Sequence, residues 1–317
     1  MTQPQEPTPA AFRNPLALYV AATRPAFLSA TFMAWLLGMA AALHDGHALH
    51  AGLALATLLF ALLAHAGVNV LNDYYDALNG TDALNTQRIF PLTGGSRFIQ
   101  NGVLSTVQTA RFGFALFACV ALAGLWLMWV SGPQLAWVGL AGLFIGWAYS
   151  APPFELNARG LGELCVVSGF LLITVGSDFV QRGGFSPDAV YAGSSYAILL
   201  AAMLYMTQFP DRAADRAAGK LHWVARLEGR RARWGYPLLA ALAYIWLTLL
   251  VASGKLPAFA LLGWLALPLS LFATRQLFLH SHRPQQLAAA IKLTILAMLL
   301  HGGVLAMVLS LSKGSST

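Results

Sequence analysis

Charge is scarce in this chain. Asp and Glu number 12 and Lys and Arg 19 among 317 residues, while 58% are hydrophobic. A content that low excludes an ordinary soluble domain, in which about a quarter of residues are charged. Cysteine is scarcer: only Cys119 and Cys165 occur, both in apolar surroundings. A disulfide framework and a zinc cluster are thereby excluded, and both thiols read as small packing residues. The N-terminus lacks a cleavable leader pattern, because the first apolar segment is long and has no small-residue site in the right place. His44, His47, His50, His280 and His282 fall in loops and lack the spacing of a metal site.

What the chain has is long apolar runs. Nine of them, at about 22–43, 51–72, 107–130, 134–150, 161–180, 188–208, 235–253, 257–274 and 286–311, approach or exceed the roughly 20 residues that span a bilayer as a helix. An open strand would leave backbone groups unpaired in lipid. The expected fold class is therefore all-α: a polytopic membrane protein with nine transmembrane helices around a central cavity, open to the cytoplasmic side and to lipid. The expected organisation is a disordered or interfacial N-terminal tail over 1–20 and one membrane domain over 21–312. Basic residues such as Arg88, Arg97, Arg159, Arg212, Lys220 and Arg226 collect in the even-numbered connections, against Arg182, Lys255 and Lys313 on the other side. That asymmetry places the N-terminus in the cytoplasm and the C-terminus outside. The net charge of +7 then belongs to loops beside an anionic membrane surface, not to a nucleic-acid partner.

The expected functional residues close the second run. In Asn69-Val70-Leu71-Asn72-Asp73-Tyr74-Tyr75-Asp76 the spacing puts Asn69, Asp73 and Asp76 on one helical face, with Asn72 also one turn from Asp76. His65, one turn earlier, continues that face and could orient an aromatic acceptor or make an interhelical hydrogen bond. Gly80-Thr81-Asp82 follows. Carboxylates this close repel one another unless a cation lies among them, and oxygen-only ligands favour Mg²⁺. A second cluster, Gln208-Phe209-Pro210-Asp211 with Asp215, Arg216 and Lys220, repeats the pattern four spans later on the same side. Pro210 suits the first turn of a new helix. Two facing acidic sets could hold Mg²⁺ and clamp a diphosphate, with Arg and Lys on the remaining phosphate oxygens.

Two loops add to this picture. In Thr93-Gly94-Gly95-Ser96-Arg97 paired glycines let backbone N–H groups approach a phosphate. The second, Tyr149-Ser150-Ala151-Pro152-Pro153, stops the fourth helix and leads to Arg159 and Glu163. Glu163 reads equally well as a functional acid or as a partner of its own helix N-terminus.

These motifs together resemble the UbiA superfamily of intramembrane prenyltransferases, over nearly the whole chain. Asn72-Asp73-Tyr74-Tyr75-Asp76, Gly80-Thr81-Asp82 and Thr93-Gly94-Gly95-Ser96-Arg97 are most similar to the branch that prenylates 1,4-dihydroxy-2-naphthoate in quinone biosynthesis. The resemblance implies a magnesium-dependent enzyme that transfers a prenyl group from a polyprenyl diphosphate to an aromatic acceptor and releases diphosphate. It implies Asp73, Asp76 and Asp82 as metal ligands with Asn72 beside them, and Asp211 and Asp215 as the second metal motif. Arg97, Arg159 and Lys220 would contact diphosphate, and Tyr149 would sit over the reacting carbon or position the diphosphate. Asn69, Gln208 and His65 complete the expected substrate face. Departures are Gly80 where the family places its last Asp, and Thr207-Gln208-Phe209-Pro210 before the second motif. Other acceptors, such as 4-hydroxybenzoate, homogentisate or chlorophyllide, remain open, and an ion-coupled transporter would also use intramembrane Asn and Asp.

Overall fold

The computed structural model describes residues 5–312. Eight of its helical stretches are long and apolar enough to cross a membrane, and Leu135–Ala148 is a shorter apolar helix beside them. The protein is an all-helical, multi-pass membrane protein. Its helices are α1 (Pro15–Ala22), α2 (Leu28–His44), α3 (Ala51–Leu78), α4 (Thr106–Ser131), α5 (Leu135–Ala148), α6 (Gly162–Arg182), α7 (Pro187–Ala217), α8 (Gly235–Ala252), α9 (Leu267–His280) and α10 (Ala288–Leu311). A 3₁₀ stretch, Ala258–Ala266, leads into α9.

Local chemistry starts several of these helices. Ser105 and Gln108 make a reciprocal capping box at α4, and Ser186 with Pro187 opens α7. Small residues then let the helices approach. Ala30, Ala34 and Gly38 line one side of α2, and a Cβ on Gly38 would collide with the Thr174 carbonyl of α6. Such close backbone approach drives association where lipid removes the hydrophobic force between helices. α7 is the most enclosed span, packed against α2, α6, α8 and α10. Helices α3 to α7 surround a cavity of about 710 Å³.

The N-terminal segment carries regular structure, a 3₁₀ turn at Pro9–Ala11 followed by α1. Glu6 accepts from Arg88 Nε at 2.6 Å and Asn101 Nδ2 at 3.1 Å, and the Phe12 ring lies 5.3 Å from that of Phe98. These contacts fasten the segment to the loop after α3; residues 1–4 and Lys313 lie outside the described residues. Pro210 does not begin a helix: α7 runs through it to Ala217. Proline removes one helical hydrogen bond, but Phe209 and Pro210 are buried and the next turn is tied to its neighbours through Asp211 and Asp215.

Candidate active site

The second helix outlasts its expected end. α3 continues to Leu78, so Asp73 and Asp76 project from its last turns and not from a loop. Gly80 then takes a left-handed conformation (φ +83°) that turns the chain into the short helix Thr81–Leu84, carrying Asp82 back toward them. From the other half of the bundle α7 brings Asp211 and Asp215, and Gly219 at φ +80° folds Lys220 back over α7.

The two acidic sets meet. Lys220 Nζ donates to Asp76 Oδ1 and Oδ2 at 3.0 and 2.9 Å, and lies 3.9 Å from Asp215 Oδ1. The Gly-Gly loop threads between the sets: Gly94 N donates to Asp211 Oδ2 at 3.2 Å, and Ser96 N to Asp73 at 3.2 and 3.3 Å. Gly95 has φ +73°, and a Cβ there would lie 2.9 Å from Asp73 Oδ1 and 3.0 Å from Asp82 Oδ2. The missing side chain is the space in which those two carboxylates converge.

Electrostatics follows from this crowding. Burial, then Asp76 and Asp73, push the Asp82 carboxyl up to about 8. Burial would lower the Lys220 ammonium, but Asp76 and Asp215 outweigh it and hold its pKa above the ordinary lysine value. Burial lowers that of Arg97. Buried carboxylates that repel one another this strongly suit a hard cation, and every donor of the set is oxygen. Among the described residues no three His, Cys, Asp or Glu side chains stand close enough to hold an ion by themselves. A Mg²⁺ among these residues would draw its remaining ligands from water and phosphate oxygens, as it commonly does.

Most of the expected residues share one cavity wall. Asp76, Asp82, Asp211, Asp215, Lys220, Tyr149, Gln208, Asn69, Asn72 and His65 all line it. Asn72 Nδ2 donates to Ser150 Oγ at 3.0 Å, Asn69 Nδ2 to the Thr23 carbonyl at 3.0 Å, and His65 Nδ1 lies 2.8 Å from Thr31 Oγ1. Asp73 stands behind the Gly-Gly loop and does not line the cavity. Arg97, in a left-handed conformation, turns Nη1 to the Asp82 carbonyl and approaches Glu6 at 3.9 Å. Arg159 departs from its expected place. It is exposed, outside the cavity wall, and donates to the Pro153 carbonyl at 2.7 Å. The left-handed Glu155 and Gly160 around it turn that loop outward.

Sequence reasoning missed three participants. Asn85 donates to Asp211 Oδ1 at 2.6 Å, and His222 Nε2 lies 2.8 Å from Asp215 Oδ2. Arg24 lines the cavity from the entry to α2. His222 offered a positional signal, two residues after Lys220. Arg24 and Asn85 stand outside both motifs and carried no signal.

A model of the UbiA prenyltransferase family matches residues 27–305. The chain belongs to that family. Its enzymes are prenyltransferases, and so is this one. The UbiA chain is 28% identical over 279 residues to the 1,4-dihydroxy-2-naphthoate octaprenyltransferase of Bacillus subtilis (strain 168), covering 86% of this chain and 85% of that one. It is 32% identical over 217 residues to the enzyme of the same name from Escherichia coli (strain K12), covering 66% and 68%. Its fold matches a UbiA homolog from Archaeoglobus fulgidus bound to GPP and Mg²⁺, with a TM-score of 0.63, 16% identity, and 91% and 99% of the two chains covered.

Proposed function

We propose that this UbiA enzyme transfers a prenyl group from a polyprenyl diphosphate to a hydroxylated aromatic acceptor, 1,4-dihydroxy-2-naphthoate by preference, releasing diphosphate. The observation that carries the reading is the convergence of Asp76, Asp215 and Lys220 at the polar mouth of an otherwise apolar cavity. The names of the Bacillus and Escherichia relatives support the choice of acceptor.

In this reading Asp76, Asp82, Asp211 and Asp215 would hold Mg²⁺ at the cavity, with Asp73 supporting them from behind the Gly-Gly loop. The metal supplies charge neutralisation, which makes diphosphate a better leaving group. Lys220 leaves Asp76 for a phosphate oxygen, and the Gly94–Ser96 backbone keeps Asp73 and Asp211 in place. Asn72 and Arg97 brace the same end. Tyr149 and Asn69 flank the reacting carbon, and the apolar wall holds the prenyl chain and excludes water. The aromatic face of Tyr149 favours positive charge developing on the allylic carbon. The basic loops of this end face the cytoplasm, which puts the N-terminus inside and the C-terminus outside.

The test is reconstitution of the full chain in lipid nanodiscs with a polyprenyl diphosphate, Mg²⁺ and 1,4-dihydroxy-2-naphthoate. Prenylated product is expected, abolished by chelator. Asp76→Asn and Asp211→Asn should each lower turnover by about 10³-fold, with thermal unfolding still cooperative. Undiminished turnover in either variant would remove the acids from the reaction.

A further inference from the structure

Glu163 and Gln208 have no part in gripping a diphosphate, yet they form a buried polar pair at the cavity. Gln208 Nε2 donates to Glu163 Oε1 at 3.1 Å, joining the first turn of α6 to α7. Gln208 is 9% exposed, lines the cavity, and its Oε1 is buried with no hydrogen-bond partner. A buried amide oxygen left without a donor carries a desolvation cost that a ligand hydroxyl would relieve.

The pair also fixes which amide atom faces inward. Glu163 Oε1 takes the NH₂ group, which leaves Gln208 Oε1 as the amide atom without a partner. Gln208 sits one helical turn before Asp211, beside Thr207, Met203 and Cys165 on the cavity wall. Tyr149 lines the same cavity and offers an aromatic face to a planar ring.

The geometry points to Gln208 as the residue that binds the acceptor: its Oε1 accepts a hydrogen bond from a ring hydroxyl of the aromatic substrate, and Glu163 is the positioning residue that fixes the amide. This rests on the prenyl-transfer reading above. It extends that reading to a rule of selectivity, in which the cavity prefers a hydroxylated ring to the same ring carrying a methyl ether. A site built to receive a hydroxyl rejects analogues lacking it, because its own polar atom is then left unpaired.

The experiment uses the full chain in nanodiscs with Mg²⁺ and a polyprenyl diphosphate. It compares 1,4-dihydroxy-2-naphthoate with its mono- and di-O-methyl ethers. The wild type should favour the free hydroxyl. Gln208→Leu should raise the acceptor KM roughly tenfold or more, erase the preference, and leave the donor KM within about twofold. Glu163→Gln, whose amide can hold Gln208 in either orientation, should act in the same direction more weakly. It should add nothing in the Gln208→Leu background, a non-additivity that general loss of packing would not produce. A hydroxyl preference that survives Gln208→Leu, or additive effects of the two changes, would overturn the assignment. If Gln208→Leu does not fold, Glu163→Gln alone decides, through its acceptor KM against an unchanged donor KM. A wild type that prenylates no aromatic compound at all sinks the functional reading instead.

Discussion

Lys220 Nζ stands 2.9 Å from Asp76 Oδ2 and 3.9 Å from Asp215 Oδ1, so one ammonium joins the end of α3 to the end of α7. It offsets repulsion between two acidic sets that the bundle forces together. Lys220→Met strips the buried Asp76 carboxylate of its cation while His222 still reaches Asp215, at a cost of about 3–5 kcal/mol. Added Mg²⁺ should then restore more of the thermal stability of the variant than it adds to the wild type. Scanning calorimetry with and without Mg²⁺ reads the difference directly. An equal or smaller Mg²⁺ effect on the variant would contradict this role.

Gly95 lets Asp73 and Asp82 converge. With φ +73° and a Cβ due 2.9 and 3.0 Å from their oxygens, Gly95→Ala meets both backbone strain and a clash. The expected cost is about 1–3 kcal/mol in stability together with a loss of Mg²⁺-dependent diphosphate binding, measured by calorimetric titration. Gly102→Ala is the control: its φ is +68°, but a Cβ there meets nothing within 4 Å. It should lose stability while keeping diphosphate affinity. Equal losses of affinity in both variants would show that strain alone is responsible.

Glycines interrupt the apolar wall of the cavity. A Cβ on Gly142 of α5 or Gly169 of α6 meets nothing within 4 Å, and both residues line the cavity. Gly142 lies seven residues before Tyr149, about 10 Å along the helix. Gly142→Phe should lower turnover of long polyprenyl donors by about tenfold or more, since overfilling a packed channel is costly. A donor of two isoprene units should react nearly as in the wild type. Competition between short and long donors, read by mass spectrometry, tests it; an unchanged product spectrum would place the chain elsewhere.

Glu6 fastens the N-terminal segment. Its hydrogen bond from Arg88 holds its carboxyl below the ordinary glutamate value, against the opposing effect of burial. A lowered folded-state pKa contributes stability above the unfolded value of 4.5, lost as pH falls through the lower folded value. Protease cleavage before α1 should therefore rise between about pH 5 and about pH 3. Glu6→Gln should be cut alike at both. Equal protection of the wild type across that window would mean that Phe12 and its neighbours, not the carboxylate, hold the segment.

Much of this architecture was legible along the chain. Asn69 and Asp76 reach the cavity as helical spacing predicts, with Asn72 beside them, whereas Asp73 of the same expected face is held behind the Gly-Gly loop; the spans follow the apolar runs to within a few residues at most ends. The ends that moved did so for reasons outside the run itself. α3 and α7 extend past their apolar stretches because Lys220, Asn85, Gly94 and His222 hold the acids of their last turns. Arg159, a basic residue in the expected loop, was turned out by the backbone conformations flanking it.

The sequence by itself determined that the chain crosses a membrane as helices, and that its two acidic motifs lie at the same end. Both follow from properties local in the chain: the cost of unpaired backbone and of charge in lipid, and the fixed rise and turn of a helix. Only the tertiary structure decided which groups meet. Asn85 with Asp211, Asp76 with Lys220 and Glu163 with Gln208 join segments far apart in the chain. No periodicity encodes such pairs, because they are set by how close the helices pack and by the turns at Gly80, Gly95 and Gly219.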